Sequence, residues 1–132
     1  MTAHSTSRIK QEIASYAMQG LRNKIVLCKE RIEDLKYLNV GCFFARLLRA
    51  GELPDSAIRE LLSSSVEEDK DIGRYLALCN IGILWEPELK LDIGNLLDGY
   101  SKDQCLIIQS NNSALLQPLK TYNYEIFGTA SF

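Results

Sequence analysis

The sequence contains little histidine and no paired cysteines. Its 132 residues include one histidine, His4, which lies in a polar N-terminal segment. A single histidine excludes a His-rich metal site, and a rigid catalytic position is not expected in such a segment. The cysteines are Cys28, Cys42, Cys79 and Cys105, and no two form a C-x-x-C pair. This argues against a zinc ribbon or a thioredoxin-like site and predicts that the thiols are buried as small apolar side chains.

Phosphate-binding and nucleophile motifs are also absent. None of the eight glycines precedes Lys-Ser or Lys-Thr, and none has G-x-G-x-x-G spacing. A phosphate loop needs such glycines because they let backbone N–H groups surround the phosphates. There is no G-x-S-x-G elbow, which a nucleophilic serine of the α/β-hydrolase type requires. The sequence therefore predicts no catalytic, cofactor-binding or metal-binding residues, no cofactor, and a protein that is not an enzyme.

Carboxylates are the remaining candidates for acid–base chemistry. Glu86, Glu88 and Asp92 lie close together in the sequence, and the last two would share a helix face. A solvent-exposed face that also carries Lys90 is the favoured interpretation. The acidic run 67–69 is interpreted as favourable charge at the start of a helix.

The chain has no long apolar run and no large excess of charge of either sign. No stretch approaches the roughly 18 apolar residues of a membrane span, and the polar start lacks the apolar core of a signal peptide. We therefore expect a cytoplasmic protein without membrane contact. The formal net charge of −2 disfavours a dedicated nucleic-acid binder. Arg46 and Arg49 are expected near the helix face opposite Phe43 and Phe44, as a weak basic patch at most.

What is present is typical of one globular domain. Apolar residues make up 46% of the chain and charged residues 24%, and the length favours a single domain. We assign residues 1–6 to a flexible tail and residues 7–132 to the domain. Helices alternate with short apolar strands along the chain, which indicates an α/β fold: a small three-layer domain with a short, largely parallel sheet.

The first half of the chain predicts three helices and two strands. One helix face is formed by Ile9, Ile13, Tyr16, Ala17 and Leu21. Residues 25–28 are predicted as a buried strand, and residues 29–36 as a loop or two helical turns. Residues 37–41 are predicted as a second strand or as an extension of the next helix.

That next helix is predicted from Cys42 to Ala50. One apolar face is expected to contain Phe43, Phe44, Leu47 and Leu48. A further helix is predicted to begin at Pro54 and to end in the serine run 63–65.

The second half predicts two further helices and two or three strands. A capping box at Ser64 and Glu67, or one residue later, predicts a helix through Tyr75. Residues 76–79 are either its last turn or a buried strand. Another helix is predicted from Pro87, with an apolar stripe to residue 97 and Gly99 just past its end. Strands are predicted over 104–109 and, at a sheet edge, over 122–126, with a turn at 110–113.

Residues 76–92 and 95–102 resemble the second half of the small P-loop protein (BrxF) of BREX phage-defence systems. In that family a strand ends in a Walker B aspartate and is followed by an asparagine, an apolar turn and a Pro-x-Leu-Lys helix. Cys79 and Asn80 occupy the corresponding positions here. The similarity extends more weakly over about residues 37–110. The resemblance implies a P-loop NTPase-like core.

The departures from the family concern the nucleotide site. The strand at 25–28 is not followed by a P-loop, and a neutral thiol at Cys79 cannot organise hydrated magnesium as a carboxylate does. Asn80 cannot activate water. The resemblance therefore implies a degenerate P-loop-like core with a Walker B-like position that has lost its chemistry.

A core that keeps its fold without its site favours a binding role. The expected function is a non-catalytic protein–protein interaction or regulatory module in a prokaryotic antiviral defence system. Its partners would be a larger ATPase of that system or further copies of the chain. The alternative is a nucleotide- or DNA-binding accessory subunit of an ATPase assembly.

Overall fold

The computed structural model describes residues 2–20, 23–32, 34–111 and 124–127. Within these ranges, six strands form one sheet. They are β1 (Ile25–Cys28), β2 (Tyr37–Asn39), β3 (Glu67–Asp69), β4 (Gly73–Cys79), β5 (Cys105–Gln109) and β6 (Tyr124–Phe127). The order is β2-β4-β5-β1-β6 with parallel neighbours, and β3 pairs antiparallel with the start of β4. The predicted α/β class with a largely parallel sheet is confirmed.

Four α-helices accompany the sheet in the part of the chain that the structure describes. They are α1 (Thr2–Ala17), α2 (Val40–Arg49), α3 (Pro54–Ser64) and α4 (Ile93–Tyr100), with 3-10 turns at Gly82–Trp85 and Pro87–Leu89. Residues 2–6, predicted as part of a flexible tail, belong to the first turns of α1. No glycine or proline interrupts residues 2–17, so a helix whose apolar positions pack at one end can propagate to the other.

The core lies on both faces of the sheet. Alternate strand side chains point to opposite faces, and each face has its own apolar cluster. The first cluster joins the strands to α2, α3 and α4 through Phe44, Ala57, Ile58, Leu62, Leu96 and Leu97. The second joins them to α1 through Ile13 and Tyr16. This arrangement is the predicted three-layer domain.

A loop stands where a crossover helix is usual between parallel strands. Residues 29–36 lead from β1 to β2, which lies three strands away in the sheet. Ile32 of this loop is buried in the second cluster. The Tyr37 hydroxyl accepts the Ile32 N–H at 3.0 Å, and the Tyr75 hydroxyl accepts the Lys36 N–H at 2.9 Å. Of the two alternatives predicted for this segment, its described residues, 29–32 and 34–36, form a loop that two tyrosines hold.

The prediction of a helix that begins at the capping box and continues through Tyr75 is wrong. Residues 67–75 form a β-hairpin instead, in which Glu67 faces Tyr75 and Asp69 faces Gly73. The Asp69 carboxylate accepts the N–H groups of Asp71 and Ile72, and Gly73 has a φ of +86°. The carboxylate therefore stabilises a turn, the conformation for which Asp competes with helix. Residues 76–79 consequently continue as strand β4.

The helix predicted from Pro87 is also partly wrong. Only one 3-10 turn forms at Pro87, and Lys90 then adopts a left-handed φ of +51°. The α-helix begins after Asp92, whose side chain accepts the Asn95 N–H at 3.1 Å as an N-cap. Gly99 lies inside α4 instead of past its end, and Ser101 is the C-cap.

The strand predictions in the second half are confirmed where the structure describes them. β5 begins one residue later than predicted, and β6 lies at the sheet edge beside β1. Of the turn predicted at 110–113, residues 112 and 113 lie outside the described residues, as do residues 122 and 123 of the edge strand.

An ion pair connects α1 to the β3–β4 hairpin. The Lys10 Nζ lies 2.8 Å from an Asp69 carboxylate oxygen, and the two side chains are 12% and 10% exposed. The hydrogen bond to Asp69 raises the pKa of Lys10. Burial acts to raise the pKa of Asp69, but the hydrogen bonds from Lys10 and from two backbone N–H groups together hold it below its usual value.

We expect Asp69→Asn to lower the free energy of unfolding by about 1–3 kcal/mol near neutral pH. A carboxylate with a lowered pKa stabilises the fold above its unfolded pKa, so the difference from wild type should shrink as the pH falls below about 4. Urea unfolding at pH 6 and pH 3 measures both values. Asp55→Asn is the matched control, because Asp55 pairs with Arg59 on the surface and should cost less than about 1 kcal/mol. A difference that persists unchanged at pH 3 would contradict this.

Candidate functional site

The carboxyl ends of the parallel strands lie together at one edge of the sheet. The register pairs Cys28 with Gln109, and Asn39 with Cys79. The residues that follow β1, β2, β4 and β5 therefore meet along this edge, which we call the carboxyl edge. In open α/β sheets, ligands bind outside this edge, so it is the first place to examine for a site.

Two asparagines and a glycine connect the ends of β2 and β4. The Asn80 side-chain amide donates to the Asn39 Oδ1 at 2.8 Å, and the same oxygen accepts the Cys42 N–H at 3.0 Å. The Gly41 N–H donates to the Asn80 carbonyl at 2.9 Å. Asn39 is thus the N-cap of α2 and also a partner of β4.

Gly41 permits this close approach. A Cβ at position 41 would lie 2.4 Å from the Asn80 Nδ2 and 3.1 Å from the Asn80 carbonyl oxygen. Asn80 itself has a left-handed φ of +53°, a conformation that asparagine tolerates better than most residues. The α2 N-terminus is therefore packed directly against the chain segment that leaves β4.

Cys79 is the last residue of β4, so the open choice at residues 76–79 is resolved in favour of a strand. Its side chain is buried, and the Arg31 guanidinium donates to its Sγ at 3.1 Å. The same guanidinium lies 5.8 Å from the centre of the Tyr37 ring. Arg31 thus joins the β1–β2 loop to the end of β4. A neutral sulfur is only a weak acceptor and offers no carboxylate oxygen to a metal ion.

The other acidic candidates are not brought together. Glu86 and Glu88 are exposed around the second 3-10 turn, and Asp92 caps α4. The run Glu67–Asp69 lies on β3, far along β4 from the carboxyl edge. Among the described residues, no three His, Cys, Asp or Glu side chains are grouped so that they could hold a metal ion. The side chain of His4 lies outside the described part of the structure.

Sequence reasoning missed Arg31, Asn39 and Gly41. Asn39 had a usable signal, because asparagine directly before an apolar helical run is a favoured N-cap. Arg31 and Gly41 had none, since their roles depend on segments that are 48 and 39 residues away in the chain.

The exposed side of α2 differs from the prediction. Phe44 is fully buried, but Phe43 is 41% exposed and does not share the apolar face. The Arg46 guanidinium lies 5.2 Å from the centre of the Phe43 ring, so Arg46 is not opposite Phe43. The helix begins two residues earlier than predicted, at Val40.

The cysteines divide into two groups. Cys28, Cys79 and Cys105 are buried, as predicted, whereas the prediction is wrong for Cys42, which is exposed on α2. Burial raises the pKa of Cys28 to about 12 and that of Cys105 to about 12. These two thiols therefore stay protonated and unreactive near neutral pH.

Comparison with protein-family models, with characterised proteins and with solved structures finds no match for this chain. Within the described part of the chain, no helix combines the length and the apolar character needed to cross a membrane. The class that the structure defines is a small three-layer α/β domain in which Asn39, Gly41 and Asn80 are bonded to one another at the carboxyl ends of β2 and β4.

Proposed function

We propose that the chain is a non-catalytic α/β module that acts through protein–protein contact, as a component of a cytoplasmic prokaryotic antiviral defence system. It would use a P-loop-like core without a nucleotide site. The defence context follows from the resemblance of residues 76–102 to the small P-loop protein of BREX systems. The non-catalytic role has support in the geometry.

The contact of Asn80 with Asn39 and Gly41 carries the proposal. It occupies the space at the ends of β2 and β4 with bonded side chains and backbone. A nucleotide bound at the carboxyl edge would need free backbone N–H groups for its phosphates, but here the Gly41 and Cys42 N–H groups already have protein acceptors.

The segment after β1 gives a second argument. In a P-loop protein a glycine-rich loop leads from this strand into a helix. Here residues 29–36 instead cover the second apolar cluster, where Ile32 and two tyrosine hydroxyls hold them. Arg31 donates to Cys79, so the loop is also joined to the Walker B-like position.

Saturating Mg·ATP is expected to leave the melting temperature unchanged to within about 1 °C. A ligand present at about 100 times its Kd would stabilise the native state by about 2.7 kcal/mol, which for a domain of this size raises Tm by several degrees. A thermal-shift assay with a known ATPase in the same plate checks the result. A reproducible rise of several degrees would mean that the chain binds the nucleotide, and it would overturn the proposal that the nucleotide site has been lost. A salt-dependent rise with DNA would favour the accessory-subunit alternative.

A further inference from the structure

One side of α2 is covered by no other part of the described chain. Cys42, Phe43, Arg46, Arg49 and Ala50 are all exposed. Positions 42, 46 and 49, and positions 43, 46 and 50, are spaced by three or four residues, so their side chains lie on one side of the helix. We call these five residues the α2 stripe.

The α2 stripe is basic, and its arginines form no ion pair within the described part of the chain. The sequence of α2 contains two arginines and no acidic residue. Neither Arg46 nor Arg49 forms a salt bridge with a residue that the structure describes. Arg59 of the neighbouring α3 is different, because its guanidinium lies 3.0 Å from the Asp55 carboxylate. The positive charge on α2 is thus available to a partner.

The α2 stripe is also apolar. The Phe43 ring is 41% exposed and carries the Arg46 guanidinium over its face. Leu53, which follows α2 in the chain and precedes α3, is 72% exposed. Aromatic residues and arginine are the side chains most enriched in the centres of protein interfaces, where few residues carry most of the binding energy.

We propose that the α2 stripe binds an acidic segment of a partner protein. Carboxylates of that segment would pair with Arg46 and Arg49, whose forked guanidinium groups match carboxylate geometry, and an apolar side chain would cover Phe43. This proposal rests on the proposed function. The α2 stripe would be the surface that makes the protein–protein contact, and the partner would present carboxylates and an apolar side chain.

Charge and composition favour a protein partner over a nucleic acid. A nucleic-acid surface gathers many cations along a backbone track, but the stripe has two. Its other members are apolar, and the whole chain has a formal net charge of −2. Apolar cover for Phe43 and Leu53 is something that a peptide supplies and a phosphate backbone does not.

Cys42 provides a reporter within the stripe. It is the exposed cysteine of the four, so N-ethylmaleimide should label it much faster than the others, and Cys42→Ser should remove the fast reaction. The probe is a pool of short synthetic peptides made of Glu, Asp, Leu and Trp. We expect the pool to slow Cys42 labelling about threefold when its concentration is about twice its Kd, and more at higher concentration. Added salt should reduce this protection.

Two comparisons make the test specific. A pool with Gln and Asn in place of Glu and Asp should give little protection. Arg46→Gln with Arg49→Gln should abolish the protection, whereas Lys70→Gln with Arg74→Gln removes the same charge from the β3–β4 hairpin and should preserve it. Protection is compared within each variant, because the Arg46 guanidinium lies 4.0 Å from the Cys42 Sγ and affects the basal rate.

The outcomes separate this proposal from the previous one. No protection by the acidic pool, or equal protection in the Arg46 and Arg49 variant, overturns the acidic-partner proposal and leaves the Mg·ATP result untouched. Stronger protection by single-stranded DNA than by the acidic pool overturns it in favour of a nucleic acid. If Mg·ATP raises the melting temperature while the acidic pool still protects Cys42, only the proposal that the nucleotide site has been lost is overturned.

Discussion

Phe44→Ala is expected to lower the free energy of unfolding by about 3–5 kcal/mol, the usual cost of removing a fully buried phenylalanine. Phe44 is 0% exposed and packs among the residues of α3 and the sheet in the first apolar cluster. Truncation to alanine removes the buried apolar surface and leaves a cavity that the surrounding strands can fill only in part. Against a typical total stability of about 5–15 kcal/mol, the variant should be close to unfolding.

The neighbouring Phe43 is the matched control. It has the same side chain on the same helix but is 41% exposed under Arg46. Phe43→Ala should therefore change the stability by less than about 1 kcal/mol. Urea unfolding followed by circular dichroism measures both variants. Similar losses for the two variants would mean that Phe43 is buried as well as Phe44. A larger loss for Phe43→Ala would mean that Phe43, and not Phe44, faces the core.

Gly41→Ala should destabilise the fold by about 1–3 kcal/mol, even though alanine is the better helix former by about 1 kcal/mol. The added methyl group would lie 2.4 Å from the Asn80 Nδ2 and 2.8 Å from its Cγ. The Asn80 side chain cannot move away without giving up its hydrogen bond to Asn39, and the Asn80 backbone oxygen, 3.1 Å from the methyl position, remains in place. The start of α2 and the segment that follows β4 would therefore have to move apart.

A double-mutant cycle identifies the cause. Asn80→Gly removes the side chain that the methyl meets, and glycine accepts the left-handed φ at that position. Gly41→Ala should then cost at least about 1 kcal/mol less in the Asn80→Gly background than in wild type. Gly99→Ala is the control for helix propensity, because Gly99 lies in α4 with nothing within 4 Å of an added Cβ, and it should stabilise the fold slightly. A stabilising Gly41→Ala would contradict the close contact.

The best sequence predictions concerned segments whose local pattern has one physical solution. β1 and the first four residues of β5 are continuous apolar runs, and such runs are typical of strands buried on both faces. The C-terminal end of α2 and the start of α3 were also predicted to within one residue. The signals are local: Gly51 has a positive φ just past α2, and Pro54 lies in the first turn of α3. Local chemistry determined these features without reference to the rest of the chain.

The errors arose where two local solutions compete. Ser64 with Glu67 satisfies a capping box, but Asp69 also satisfies an Asx-type turn to Asp71 and Ile72. Pairing β3 with β4 and the ion pair from Lys10 favour the hairpin. Lys10 lies on α1, far from the hairpin in the sequence, so the segment itself gives no signal of this contact. The orientation of α2 about its axis is a second case of two competing local solutions. Phe43 and Phe44 are equally apolar, and only the sheet beneath the helix selects Phe44 for the core.

By itself, the sequence determined the α/β class, the buried strands and the absence of phosphate-loop and nucleophile motifs, because these depend on hydrophobic periodicity and on residues adjacent in the chain. The tertiary structure alone decided what the carboxyl edge contains. Asn39, Asn80 and Gly41 meet there, and Arg31 reaches Cys79, because parallel strands bring distant segments to one edge. A contact between residues about 40 positions apart has no local signal, since its energy depends on the packing of every element between them.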